Sequence, residues 1–557
     1  MSELDRIARE YLDEISRLDP LSAFERGDLR FASAVTDFSP EGERERADLA
    51  LGARRKVEQS RMAPEAGGTA GAAMDERLGI AIDLFEAGEW LRSLSVFGPQ
   101  HAMRQTFDLM PTASESDWLS IADKLAALPE AMLGFRRSLA AGLAGGPTVA
   151  RRQVLACAAQ TRTWSGGGDR PGFFTTLGER YRGRDFKLAE RLALLGRQAD
   201  KAYLDFTIYL EEEYAPRAQE QDGVGRERYQ LYCRQFNGLE LDLDQTYSFG
   251  WEELARIEAE MEAVADRIVP GGGVADAAQL LDTDPGRAIE GADNFRAWNQ
   301  EFLDRTMADL AGTHFDIPAP VLQVEAMIAP PGGNPAMYYT PPSSDFSRPG
   351  RTWYPTIGKT RFPLWREVSI AFHEGVPGHH LQLAQACFLA ETLPPFQTLL
   401  GAVSGHVEGW ALYAERLMGE LGYLENPDYY LGMLAAHALR AARVVLDIGL
   451  HLDKPIPSGQ PFHPGGSWSF DLAVSFLMEK GRVDHDFAFG EVNRYLGVPA
   501  QAISYKVGER VWLEVREAAR RNWGPQFELK EFHRRALNLG CVGLDQLRRE
   551  LERPLPS

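Results

Sequence analysis

Apolar residues recur at three-four spacing along most of this chain, which leaves little room for any fold but a helical one. In Ser248 to Val269, SFGWEELARIEAEMEAVADRIV, the residues Leu254, Ile257, Met261, Val264 and Ile268 keep to one face, and the run stops at Pro270 and three glycines. The same pattern predicts helices at Ser116 to Ala144, Leu188 to Glu213, Tyr429 to Leu452 and Ala502 to Arg521. Strand-like alternation is sparse and no internal repeat is visible. The expected class is therefore mainly α. With 557 residues, 44% of them hydrophobic, the chain has material for several domains or one large two-lobed unit.

Charge and composition remove several classes of function. Lys and Arg total 60 against 80 Asp and Glu, a formal charge of −20, which repels nucleic acid phosphates and anionic membrane surfaces. Neither nucleic acid nor membrane is an expected partner. The first twenty residues alternate charged and apolar positions as a surface helix does, without the apolar core of a secretion signal, so a cytoplasmic location is expected. The longest apolar approach, Leu381 to Gly405, is interrupted by Glu391, Pro394 and Pro395, too broken for a membrane span. Cys157, Cys233, Cys387 and Cys541 lie far apart and suggest neither a disulfide framework nor a thiolate zinc site.

Two stretches depart from the helical texture. Ala66 to Ala73, AGGTAGAA, reads as a loop or linker. From Pro318 to Phe362 the chain turns rich in Pro, Gly and aromatics, and two β-prone pieces, Ala336 to Thr340 and Thr352 to Ile357, predict a small sheet or hairpin. It stands just ahead of a helix expected over Pro363 to Ala390.

That helix contains His373-Glu374-Gly375-Val376-Pro377-Gly378-His379-His380, three of the chain's eleven histidines within eight residues. Histidine with carboxylate is the ligand set preferred by zinc. In the zinc-peptidase motif H-E-x-x-H, two histidines four apart share a helix face and the Glu serves as general base. Here the fourth position after His373 is Pro377. His380 would share the face of His373 on a straight helix but stand about 10.5 Å along the axis, too far for one ion. Pro377, however, cannot donate to the carbonyl of His373, and Gly378 tolerates unusual dihedrals, so the helix should break or bulge there. The break would return His379, or alternatively His380, to the place of the second ligand. A third ligand is offered by Ser404 to Leu417, SGHVEGWALYAERL, where Glu408 is the candidate, with Glu415 and His406 read as structural.

HEGVPGHHLQ followed by GHVEGWALYAERL resembles a bacterial family catalogued as domain of unknown function 885, itself similar to the gluzincin metallopeptidases of the thimet-oligopeptidase and angiotensin-converting-enzyme groups. Further stretches that carry the resemblance are YAPRAQEQDGVGRERYQLYCRQFNG (214–238), AMYYTPPSSDFSRPG (336–350) and RYLGVPAQAISYKVG (494–508). The resemblance implies a two-lobed helical metallopeptidase-like fold with a small β-sheet beside the active-site helix and a deep central cleft. It implies one Zn²⁺ held by His373, His379 (or His380) and Glu408, with Glu374 as general base. It also implies an oxyanion-stabilising tyrosine, Tyr505 first and Tyr495 second, and a substrate-binding strand at Ala336 to Thr340, which carries Tyr338 and Tyr339.

Arginines near these elements are candidates for gripping a substrate carboxylate: Arg348 and Arg351 beside the strand, Arg440 and Arg443 after Glu408, and Arg494 near Tyr505. Arg443, Asp447 and His451 are also explained by an intrahelical network at spacing four. The expected organisation is an N-terminal helical portion over 1–238 and a C-terminal catalytic portion over 239–557, packed as one unit. The expected function is zinc-dependent hydrolysis of short peptides. Hydrolysis of a non-peptide amide or ester, or non-catalytic binding on a peptidase scaffold, are the alternatives.

Overall fold

The apolar stripes find their partners in two separate sets of helices. The computed structural model describes residues 2–61, 68–168, 170–329, 336–398 and 400–554. It divides into two compact units: Met1–Ala66, Arg77–Leu231 and Gly490–Pro499 form the first, and Gly67–Glu76, Tyr232–Phe489 and Ala500–Ser557 the second.

In the first unit, α1 (Glu3–Leu18) opens on a capping box in which Ser2 and Asp5 satisfy each other's backbone N–H, and it buries Leu4, Ile7 and Tyr11. A later helix, α2 (Thr69–Glu86), whose residues up to Glu76 belong to the second unit, corrects the linker expected at 66–73: residues 66–67 lie outside the described ones, but from Thr69 the chain is helical. Alanines favour helix more than the two glycines oppose it, and Ala73 and Met74 are buried. Helices α3 (Glu115–Gly145), α4 (Arg151–Trp164) and α5 (Phe186–Ile208) enclose an aromatic core, with Phe135 and Phe206 5.5 Å apart and Phe174 and Tyr203 4.9 Å apart between ring centroids. The predicted helix at 188–213 ends at Ile208 and continues as a π-helical turn, Tyr209–Tyr214.

The second unit is built on α6 (Leu243–Ile268), whose buried face holds the predicted Leu254, Ile257, Met261 and Val264. After α7 (Ala292–Leu310) comes the Pro- and Gly-rich stretch, which does form small sheets. Strands β1 (Ala288–Glu290) and β5 (Arg361–Pro363) pair antiparallel. In the other sheet, β4 (Gly350–Tyr354) is central, parallel to β2 (Val324–Ile328) and antiparallel to the edge strand β3 (Tyr338–Thr340).

Pro363 therefore closes a strand, and the helix expected over 363–390 is two: α8 (Leu364–Glu374) and α9 (His379–Phe388). They are followed by α10 (Ser404–Glu420), α11 (Pro427–His451) and α12 (Ser504–Trp523). Small residues bring these helices close. A Cβ on Gly409 of α10 would stand 2.4 Å from the backbone of Gly508 on α12, and one on Gly432 of α11 would overlap the Trp365 carbonyl of α8. Among the described residues no helix is long and apolar enough to cross a membrane.

Candidate metal centre

The break between α8 and α9 follows from its residues. Pro377 has no N–H to give and is joined to Val376 by a cis peptide bond. A Cβ on Gly378 would lie 2.0 Å from the His373 carbonyl oxygen, so only glycine fits the tight return. The turn is closed by Gly378 N–H to the Phe372 carbonyl (3.0 Å) and His380 N–H to the Gly375 carbonyl (3.1 Å). Trp410 of α10, fully buried, donates its indole N–H to the carbonyls of Pro377 (2.8 Å) and Gly378 (3.1 Å). The sequence thus ends one helix on His373 and Glu374 and starts the next on His379, with α10 gripping the turn between.

This construction brings His373, His379 and Glu408 together, one ligand atom of each lying within 4.8 Å of the other two. Glu408 Oε2 stands 3.4 Å from His373 Nε2 and 3.6 Å from His379 Nε2. The imidazole rings are nearly perpendicular, with centroids 4.7 Å apart. Hydrogen-bonded pairs in the same site close to 2.8 Å, as His373 Nδ1 does with Glu415 Oε1. The wider spacing is instead close to the edge of a tetrahedron with bonds of about 2.1 Å, the zinc–nitrogen length. The donor set fits a divalent cation on a further ground: Glu408 Oε2 is buried and makes no hydrogen bond among the described residues.

Electrostatics point the same way. Burial disfavours a charged His373, yet the neighbouring carboxylates of Glu408 and Glu415 overcome it and push the imidazole up to about 9. Burial likewise opposes ionisation of Glu408, but His373 and His379 hold its carboxyl well below the usual range. The pocket therefore attracts positive charge, which a metal ion would supply in place of the proton.

His380 is excluded from the cluster. Its Nε2 donates to the Val321 carbonyl (2.8 Å), which leaves Nδ1 to accept from the Tyr339 hydroxyl (3.0 Å). Both nitrogens are spent tying the β-sheet to α9, and β4 passes so close that a Cβ on Gly350 would lie 2.7 Å from Nδ1. Of the two histidines left open by the sequence, His379 is the one that stands with His373 and Glu408.

Glu415, read from sequence as structural, holds the candidate ligand His373. Oε1 accepts from His373 Nδ1, Oε2 accepts from Ser369 Oγ, and His437 Nε2 lies 3.6 Å from Oε2. Burial pushes Glu415 up, but its contacts with His373 and His437 and the charges of His437 and Arg440 hold it well below the usual carboxylate range. Behind it stands Lys506, completely buried, which donates to His437 Nδ1 (3.0 Å), Glu253 (3.0 Å) and Glu509 (2.6 Å). Such carboxylate partners fix the tautomer and angle of a ligating histidine. One signal was available: Glu408 and Glu415, seven apart on α10, share a face.

The remaining candidates are more dispersed. Glu374 is buried next to His373, and its Oε2 has no hydrogen-bond partner among the described residues. Tyr505, in the first turn of α12, lies under Arg443 (4.8 Å from guanidinium carbon to ring centroid) and Arg440 (5.8 Å). Tyr338 stacks on Trp353 at 5.8 Å. Arg348 donates to the carbonyls of Pro341 and Pro349, and Arg351 pairs with Glu325 at 2.7 Å, both structural contacts where substrate contacts were expected. Arg494 belongs to the first unit and pairs with Glu491 at 2.8 Å; Tyr495 there is fully buried.

Fold and site together define a mainly helical protein with a buried histidine–carboxylate cluster. The chain belongs to the family described as "Bacterial protein of unknown function (DUF885)", whose sequence profile matches residues 20–551. Among solved structures it is similar to that of a "putative lipoprotein" from Colwellia psychrerythraea, at 22% identity and a TM-score of 0.83 with 99% of each chain covered. It is also similar to that of a "putative lipoprotein of unknown function" from Shewanella oneidensis, at 16% identity and a TM-score of 0.73 with the same coverage. These likenesses show a shared fold. A comparison with curated proteins finds no relative.

Proposed function

We propose that the protein is a metal-dependent hydrolase, a metallopeptidase acting on short peptides, with one zinc ion held by His373, His379 and Glu408. The observation that carries this reading is the convergence of those three side chains from α8, α9 and α10 at 3.4 and 3.6 Å, with a dedicated carboxylate behind the first histidine. The resemblance of HEGVPGH and the following glutamate helix to the gluzincin pattern supports it.

When bound, the ion supplies Lewis acidity, making a water acidic near neutrality and polarising the substrate carbonyl. Glu374, adjacent in sequence to a candidate ligand and with a carboxylate oxygen unpartnered among the described residues, would serve as the general base, accepting a proton from the attacking water and passing it to the leaving amine. Tyr505 donates its hydroxyl to the oxygen that gains charge, and the guanidinium groups of Arg440 and Arg443 beside its ring favour negative charge there. Strand β3 is an edge of its sheet, the position at which an extended peptide would add as a further strand.

The test is elemental mass spectrometry of the purified protein, followed by a peptide library. The reading expects near-stoichiometric zinc, lost in His373→Ala and Glu408→Ala, and cleavage by the metal-loaded protein that Glu374→Gln abolishes. Metal-loaded protein that cleaves no peptide, with Glu374→Gln indistinguishable from it, contradicts the reading.

A further inference from the structure

Helix α11 turns one face toward the metal helix and α12, and along it stand His437, Arg440, Arg443, Asp447 and His451 at helical spacing. Four of the five are accounted for. His437 lies between Lys506 and Glu415. Arg443 covers Tyr505, Asp447 accepts the Ala500 N–H at 2.8 Å, and His451 Nε2 is 3.7 Å from Asp447.

Arg440 differs. Among the described residues its guanidinium makes no hydrogen bond and no ion pair, and its Nε is buried without a partner. The Tyr505 ring stands 5.8 Å away, and the arginine's charge helps hold Glu415 ionised. The side chain as a whole is partly exposed, so a ligand can reach it. In a chain with 80 acidic residues against 60 basic ones, carboxylates are in surplus, yet among the described residues none stands within ion-pair distance of this arginine. Because Nε is buried, a ligand meets the terminal N–H groups, where a carboxylate would form a charge-assisted pair, stronger than a neutral hydrogen bond.

Its position gives that vacancy a direction. Arg440 follows His437 by three residues, about 4.5 Å along the axis, and His437 reaches Glu415, which holds the ligand His373. It also stands over the tyrosine proposed as oxyanion donor.

We propose that Arg440 anchors a substrate carboxylate, which narrows the hydrolase reading, on which this inference rests, to peptides or peptide-like amides ending in a free carboxylate close to the scissile bond. The protein then trims short peptides from the C-terminal end, and it discriminates against amidated ends because only a carboxylate can accept both N–H groups of the fork.

Binding separates this inference from the hydrolase reading. Glu374→Gln protein, loaded with zinc, is titrated calorimetrically with two pentapeptide pools of equal composition, one ending in a carboxylate and the other in an amide. The carboxylate pool is expected to bind roughly 10- to 100-fold more tightly. Adding Arg440→Gln should abolish the preference, and Arg440→Lys, which keeps the charge without the fork, should restore part of it, both with unchanged melting temperature. Equal binding of the two pools, including measurable binding of neither, overturns the proposal, as does a preference that survives Arg440→Gln. Failure of wild-type protein to turn over the same pools, with the binding preference intact, instead counts against the hydrolase reading alone.

Discussion

Lys124 in the first unit and Lys506 in the second are both completely buried, and they are buried in opposite ways. Among the described residues Lys124 has a single hydrogen bond, to Thr106 Oγ1 at 3.1 Å, with the Phe24 ring 5.0 Å away, and burial pulls its amine down to about 8. Lys506 is surrounded by Glu253, Glu509 and His437, all within 3.0 Å. The first is a packing residue that carries a desolvated charge at a cost. The second is the hub of a network that ends on a candidate metal ligand. Buried charge near the site is thus organised around His373, whereas at Lys124 it is only tolerated.

Lys506→Met is the harshest test of that contrast, because it leaves Glu509 buried without its closest cation. A loss of about 3–5 kcal/mol is expected in chemical denaturation. Glu415→Gln keeps the shape but removes the charge behind His373, and zinc affinity measured against a competing chelator should fall about 10- to 100-fold. The third test is stability against pH. The folded pKa of Lys124 lies below its unfolded value, so the unfolded state binds more protons between about pH 8 and 10.5. This lysine therefore makes stability rise with pH over that window, by at most about 1.4 kcal/mol per unit. Lys124→Met should remove the rise. At neutral pH the same variant should match wild type or gain about 1 kcal/mol, since the charge it deletes anchors nothing.

The helices were legible because their burial repeats with the helical period: the stripe read in 248–269 is the buried face of α6. The interruption at Pro377 was legible for an equally local reason, the missing N–H. The choice between His379 and His380 was not, because the partners that occupy His380 come from Val321 and Tyr339, 59 and 41 residues earlier. Glu415 escaped similarly, its partner His373 lying 42 residues upstream on another helix. Arg351 looked free for a substrate until the parallel register of β2 and β4 set it opposite Glu325, a pairing no local pattern announces. The AGGTAGAA segment was misread for its glycines, although Ala70, Ala72 and Ala73, and the buried Met74 after them, belong to a helix. Local chemistry was readable from the chain, while the partners that select among candidates came from the tertiary fold.

The central claim is that one ion is held by His373, His379 and Glu408, with His380 left to bind the sheet. The most direct measurement is the zinc content of His379→Ala and His380→Ala proteins, purified side by side and analysed by elemental mass spectrometry. The account predicts that His379→Ala is metal-free while His380→Ala retains near-stoichiometric zinc with lowered thermal stability. Zinc retained by His379→Ala and lost from His380→Ala would contradict it.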